Sequence, residues 1–218
     1  MTFSIVAHDA NTGHVGVGAM TAMPGVGNLV AHARSQLGAA ASQAMMNPYL
    51  AFDGLDLLDD GLSAEEALQR VVDADPGREG RQVGLVDAAG GSASHTGSLP
   101  ADWKGHRTGP HYAAQGNRLV GPEVLDGAVS AFLDTTEQPL VDRLIAALEA
   151  GEDAGGDELG HRSATVVVMG TELYPIWDIR IDDDDSPLDT LRERYDAFSR
   201  ELVPQILMLP TRNDPLGG

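Results

Sequence analysis

The opening run Met1-Thr2-Phe3-Ser4-Ile5-Val6-Ala7-His8, the turn residues Asp9-Ala10-Asn11-Thr12-Gly13 and the run from His14 to Met20 decide how this chain folds. Residues alternate along the first run, with Phe3, Ile5 and Val6 among them, so Met1 to His8 is expected to be a strand that begins almost at the chain start. Asp, Asn and Gly between the two runs favour a turn, which makes His14 to Met20 the partner arm of a hairpin. Leu29 to Ala33 and Leu37 to Ala44 read as two further strands. The second is rich in small residues, which admit close approach of a backbone or a ligand.

The period changes at Tyr49. Leu55, Leu57 and Leu58 fall on a short helix, and Ser63-Ala64-Glu65-Glu66 is a capping box opening a second helix through Leu68, Val71 and Val72. Strands resume with Gln82 to Asp87 and Gly91 to Thr96 around Ala88-Ala89-Gly90. Trp103 to Pro110 reads as a glycine-rich loop. Pro122, where a first helical turn tolerates proline, opens a helix through Val124, Leu125, Ala128 and Phe132. The next helix carries Leu140, Leu144, Ile145 and Leu148 and is expected to stop at Gly151. Thr165 to Met169 and Ile176 to Ile181 are the last strands, and Ser186-Pro187 opens a final helix with Leu188, Leu191 and Tyr195. This order is too interleaved for two domains and has too few strand-to-helix alternations for a doubly wound parallel sheet. It predicts an α+β fold: two mainly antiparallel sheets face to face, with helices on both outer faces. A single domain over 1–203 and a loose tail over 204–218 are expected.

Composition narrows the functional classes. The 218 residues hold 33 acidic and 14 basic side chains, a net charge of -19, and Lys104 is the sole lysine. A field of that sign repels phosphate backbones and anionic lipid, so neither nucleic acid nor membrane is an expected partner. Abundant aspartate with almost no lysine also suits a salt-adapted cytoplasm, where ionic strength screens self-repulsion. No apolar run approaches the ~18–20 residues of a membrane span and no basic segment precedes one, so a soluble cytoplasmic protein is expected. The absence of cysteine excludes disulfide scaffolds, thiol catalysis and cysteine-ligated metal.

Most of the remaining motifs offer no chemistry. None of the seven histidines forms an H-x-x-x-H pair, and a Gly-Pro break separates His106 from His111, so no metal is expected. Asp182 to Asp185 lacks the alternation and distal glutamate of a calcium loop and reads as a solvated acidic turn. Gly16-Val17-Gly18 and Gly25-Val26-Gly27 lack the third glycine of a dinucleotide site, and no G-x-S-x-G elbow is present. What is left is the N-terminus. Thr2 follows the initiator methionine and is small enough to allow its removal. Its hydroxyl would then be a nucleophile and its own α-amine, titrating near ~7.7–8.0, the base.

Many short segments, in order, are those of a known family: Thr2-Phe-Ser-Ile-Val-Ala7 with Asp9, Ala41-Ser-Gln43 with Asn47-Pro48, Gly54-Leu-Asp-Leu-Leu58, Arg81-Gln-Val-Gly-Leu-Val-Asp87, Thr96-Gly97, Trp103 with Gly105, Gln115-Gly-Asn117, and Ala154-Gly-Gly-Asp157 with Gly160 and Ser163-Ala164. Through them the chain resembles the DUF1028 family of the N-terminal-nucleophile (Ntn) hydrolase-like superfamily over about Thr2 to Met169. The resemblance implies a four-layer αββα sandwich of the Ntn-hydrolase type and amide-bond hydrolysis at an N-terminal nucleophile, without a cofactor. By analogy with proteasome-type members, Gly116-Asn117 would sit at a helix-opening turn, with Asn117 serving the oxyanion. Asp157 would hold the ammonium or a water, Ser163 would relay a proton, Thr21 would face Thr2, and Arg34 would supply the positive charge that lowers the amine's pKa.

Gln43, Asn47, Thr96 and Trp103 complete the expected substrate-binding set. Each also has a structural reading: Gln43 and Asn47 as partners of buried backbone, Trp103 as a core aromatic, Asp157 as a turn residue, Asn117 as the lead-in to a helix. The chain departs from the family pattern at Thr21-Ala22, where Ser-Lys is common, and at Leu159 and Arg162, where Arg and Gln are usual. Three readings stay open. They are an amidohydrolase acting on a small-molecule amide or ureide through Thr2, a non-catalytic ligand-binding or assembly module, and a His/Asp metal hydrolase. Assembly into a homo-oligomer is compatible with all three.

Overall fold

The computed structural model describes residues 2–100, 103–156 and 159–217. The strands and helices run in the order β1 (Thr2–His8), β2 (Val15–Thr21), α1 (Val26–Leu29), β3 (Ala31–Arg34), β4 (Gly38–Ala44), α2 (Tyr49–Asp59), α3 (Ala64–Ala74), β5 (Arg81–Asp87), β6 (Ser92–Thr96), β7 (Trp103–Gly109), β8 (Tyr112–Leu119), α4 (Glu123–Asp134), α5 (Leu140–Asp153), β9 (Ser163–Met169), β10 (Pro175–Ile181), α6 (Pro187–Glu201) and α7 (Val203–Ile206). One sheet has the order β10-β9-β2-β1-β8-β7 and the other β3-β4-β5-β6. Neighbouring strands in both are antiparallel.

The alternation in β1 divides its side chains between two cores. Phe3, Ile5 and Ala7 pack against α4 and α5, through Leu125, Phe132, Leu144 and Leu148 among others. Val6 faces the other way, into the layer between the sheets, beside Ala39, Ala41 and Val86. Small residues there let the sheets approach closely. On the far side of the second sheet, Ala40, Val83 and Leu85 meet Leu55 of α2 and Leu68 of α3. The layers are therefore α2/α3, four-stranded sheet, six-stranded sheet, α4/α5 with α6: an αββα sandwich. The capping box forms as expected, with Glu66 N donating to Ser63 Oγ and Ser63 N donating to Glu66 Oε2.

Several elements differ from the sequence expectation. The segment from Trp103 is β7, paired with β8, and not a loop. Its glycines make room for aromatic rings: a Cβ on Gly105 would lie 3.0 Å from the Trp103 ring, and one on Gly109 would lie 2.6 Å from that of Tyr112. Val26–Leu29 is a turn of helix, so the third strand starts at Ala31. Gly151 does not stop α5, which runs to Asp153. It sits where the helix crosses β1, and a Cβ there would lie 2.5 Å from the Phe3 ring. At the C-terminal end, the Tyr174 hydroxyl donates to the Pro210 carbonyl at 3.2 Å. Among the described residues, no helix is long and apolar enough to cross a membrane.

The end of β1 remote from Thr2 holds a histidine pair. The Nδ1 atoms of His8 and His111 lie 3.0 Å apart, and His8 is buried. Burial, with the neighbouring His111, holds the His8 pKa below its ordinary value of 6.5, against the pull of Asp9 and Asp87. A group whose folded pKa is depressed binds its proton more readily when unfolded, so protonation favours unfolding as pH falls below about 6.5. Stability in urea is therefore expected to be lower at pH 5 than at pH 7.5, with His8→Asn narrowing the difference. An unchanged difference would place the acid sensitivity elsewhere.

Candidate functional site

Register places four polar residues in one row at the same end of the six-stranded sheet. Asn117 on β8 pairs with Thr2 on β1, Thr2 with Thr21 on β2, and Thr21 with Ser163 on β9. Residues paired across antiparallel strands point to the same face, here the face toward the second sheet. The Thr2 and Thr21 hydroxyls are hydrogen-bonded at 3.1 Å, and both residues are buried.

Thr2 and Thr21 open on a cleft of about 110 Å³, closed by the segment around α1 and by Gln43, Ala44 and Met46 at the end of β4. Ser163 does not touch the Thr2 hydroxyl. It accepts from Val26 N at 3.1 Å and donates to Met23 O at 2.6 Å, tying down the cleft wall. Gly25 N, in turn, donates to Asp182 O at 2.8 Å, so the acidic run supplies a backbone anchor as well as charge. Ser163→Ala would leave both partners without their bonds and is expected to cost about 1–3 kcal/mol in urea unfolding. A loss under a few tenths of a kcal/mol would mean that the wall does not depend on this side chain.

Beneath Thr2 lies a buried network of amides. Gln43 Nε2 faces three acceptors, Thr2 O at 3.2 Å, Gln82 Oε1 at 2.8 Å and Gln115 O at 3.2 Å, while its Oε1 accepts from Ser4 Oγ at 2.7 Å. Gln115 Nε2 donates to Ser4 Oγ at 2.7 Å. Asn117 Nδ2 donates to Gln82 Oε1 at 3.0 Å and lies 3.5 Å from Thr2 O. Gln82 Nε2 reaches Thr96 Oγ1, Gly105 O and Gly116 O at 2.8–3.0 Å. Buried polar groups need such partners, and this set joins both sheets under the Thr2 carbonyl.

The other expected residues are dispersed. Asn117 lies on β8 and not at a helix-opening turn, and its side-chain amide points into the network. Thr96 belongs to the far edge of that network, bonded to Gln82 and, at 3.0 Å, to His106. Arg34 pairs with Asp56 and lines a separate hollow of about 360 Å³ with His32 and Arg180. Asn47 accepts from Tyr49 N through its side chain and from Ser42 Oγ through its carbonyl. Trp103 packs on the core beneath α4 and α5. Asp157 lies outside the described residues. Lys104 donates to Pro100 O at 2.8 Å. Among the described residues, no group of three or more His, Asp or Glu is arranged to hold a metal ion.

Sequence reasoning assigned no role to Ser4, Gln82 and Gln115. A signal was present, because Gln82 and Gly84 share the strand face opposite Val83 and Leu85. The missing side chain at Gly84 makes room for an amide: a Cβ there would lie 2.0 Å from Gln115 Oε1.

The family model described as "Family of unknown function (DUF1028)" matches residues 2–191. A crystal structure of a protein from Silicibacter pomeroyi, assigned to the same family model, is 33% identical, covering 99% of this chain and 98% of that one with a TM-score of 0.90. The Anbu (ancestral beta-subunit) protein of Yersinia bercovieri is 13% identical over 95% of this chain and 98% of its own, with a TM-score of 0.46. The search of curated proteins returns no match.

Proposed function

From the premise that the chain belongs to the DUF1028 family, itself of unknown function, we propose that it hydrolyses the C–N bond of a small-molecule amide or ureide through a Thr2 acyl-enzyme. The observation that carries this reading is the Thr2 hydroxyl at the head of a central strand, 3.1 Å from Thr21 Oγ1 and opening on a cleft. Removal of Met1 makes the Thr2 amine the base. Thr2 Oγ1 attacks the substrate carbonyl carbon while its proton passes to the amine, directly or through the Thr21 hydroxyl. Collapse of the tetrahedral intermediate breaks the C–N bond, the proton leaves with the departing amine, and a Thr2 ester remains. The same amine then takes a proton from water as hydroxide adds to the ester; collapse breaks the bond between the acyl carbon and Thr2 Oγ1, the ammonium returns its proton to Oγ1, and the acid is released. Gln43 and Asn117, which meet the Thr2 carbonyl, hold the residue's backbone; Ser163 holds the wall. In this reading Asp157 orients the amine or the water, and neither metal nor cofactor takes part.

One observation favours the alternative of a non-catalytic binding module. Arg34 is paired with Asp56 and lines a separate hollow, so it does not provide the positive charge beside Thr2 that would lower the amine's pKa. Two measurements decide between the readings. Intact mass of the expressed chain must show Met1 gone, and a screen of small amides and ureides, run in high and low salt, must show turnover that Thr2→Ala lacks. Retention of Met1, or no turnover by the wild type, would leave the binding module ahead, whereas turnover unaffected by Thr2→Ala would assign the attack to another group.

A further inference from the structure

The lining of the Thr2 cleft restricts what its occupant is. Its walls are the apolar side chains of Met23, Pro24, Val26, Leu29, Val30 and Met46, and the remaining positions are Thr2, Thr21, Gly25, Gln43 and Ala44. None of these eleven is ionisable. Gln43, the largest polar group there, already directs its amide nitrogen at the Thr2 carbonyl, Gln82 and Gln115. Among the described residues, a carboxylate or ammonium entering the cleft would lose water and meet no counter-charge, at a cost of several kcal/mol. The Thr2 amine supplies no lasting one, since it must be unprotonated to act as base. The net charge of -19 opposes anions further.

Size is restricted too. At about 110 Å³ the cleft is well below the ~300–1,000 Å³ of a pocket that encloses a drug-sized ligand. Its mouth is flanked by the exposed Met23 and Met46, flexible thioethers that adapt to an apolar guest.

We infer that the cleft receives a short, uncharged, branched or linear aliphatic acyl group, so that the substrate class is the neutral small aliphatic amide. The inference rests on the hydrolase reading for its chemistry, but binding alone tests it. The probe is the Thr2→Ala protein carrying 13C-methyl methionine, titrated with isobutyramide, isobutyrate, isobutylamine and 1-adamantanecarboxamide. Isobutyramide is expected to shift the Met23 and Met46 methyl signals while leaving that of Met208, on the C-terminal segment, in place. The two charged analogues and the bulky amide are expected to bind at least about tenfold more weakly, a difference of about 1.4 kcal/mol. Equal or tighter binding of isobutyrate, isobutylamine or the adamantyl amide overturns the inference, and so does the absence of any isobutyramide effect on Met23 and Met46. The two readings fail separately. Isobutyramide binding with no turnover of any amide by the wild type removes the hydrolase and keeps the ligand class, whereas turnover confined to charged or bulky amides does the reverse.

Discussion

Thr2→Ala is expected to lower amide hydrolysis by at least about 10³-fold, the scale on which loss of a nucleophile leaves only binding and electrostatic assistance. The substitution removes Oγ1, the atom that forms the acyl ester, while leaving a residue small enough for Met1 still to be removed. Its structural effect is small by comparison. Thr2 gives up one hydrogen bond, to Thr21, at the end of a strand whose register is held by partners on both sides. A loss of about 1 kcal/mol in unfolding free energy is expected, too little to explain the missing turnover. Thr2→Ser keeps the hydroxyl and the amine and should retain activity well above that of the alanine variant. Steady-state kinetics beside urea unfolding separate the two effects. Equal activity of wild type and Thr2→Ala would show that some other group attacks.

The largest effect on stability is expected at Gln82. Its side chain is fully buried, accepts from Gln43 and Asn117, and donates toward Thr96, Gly105 O and Gly116 O. Gln82→Leu keeps the volume and removes every one of these bonds. Each stranded buried group costs about 1–3 kcal/mol, and with partial relaxation the sum is expected to be about 4 kcal/mol or more. Against a total of about 5–15 kcal/mol for a natural domain, that leaves a marginal fold. Gln69→Leu, on the exposed face of α3, is the matched control and should change stability by less than about 0.5 kcal/mol. A Gln82→Leu loss no greater than the control's would mean that the amides pair with water rather than with one another.

The sandwich was legible where side chains alternate between two buried faces. The β1 and β2 hairpin shows this, since its register alone brings Thr21 opposite Thr2. The β7 and β8 hairpin was not legible. Ala113, Ala114, Gln115, Gly116 and Asn117 contain no β-branched or large apolar residue, and their burial comes from β1, which pairs along β8, and from the facing sheet. Propensity carries no signal for contacts of that range. The same reason hid the work of Ser163, whose partners Met23 and Val26 lie far away in the chain. α1 is a four-residue turn, too short to show helical periodicity. Arg34 was placed near Thr2 by analogy alone, and the short β3 carries it to a different hollow.

The central claim is that an unblocked threonine carries the acyl group. Treatment of the natively expressed protein with a β-lactone, followed by intact mass and peptide mapping, tests it most directly. The expected result is a chain lacking Met1 that gains one acyl group on the Thr2 hydroxyl, with no adduct on Thr2→Ala. A chain that retains Met1, or an adduct that forms equally on the alanine variant, would contradict it.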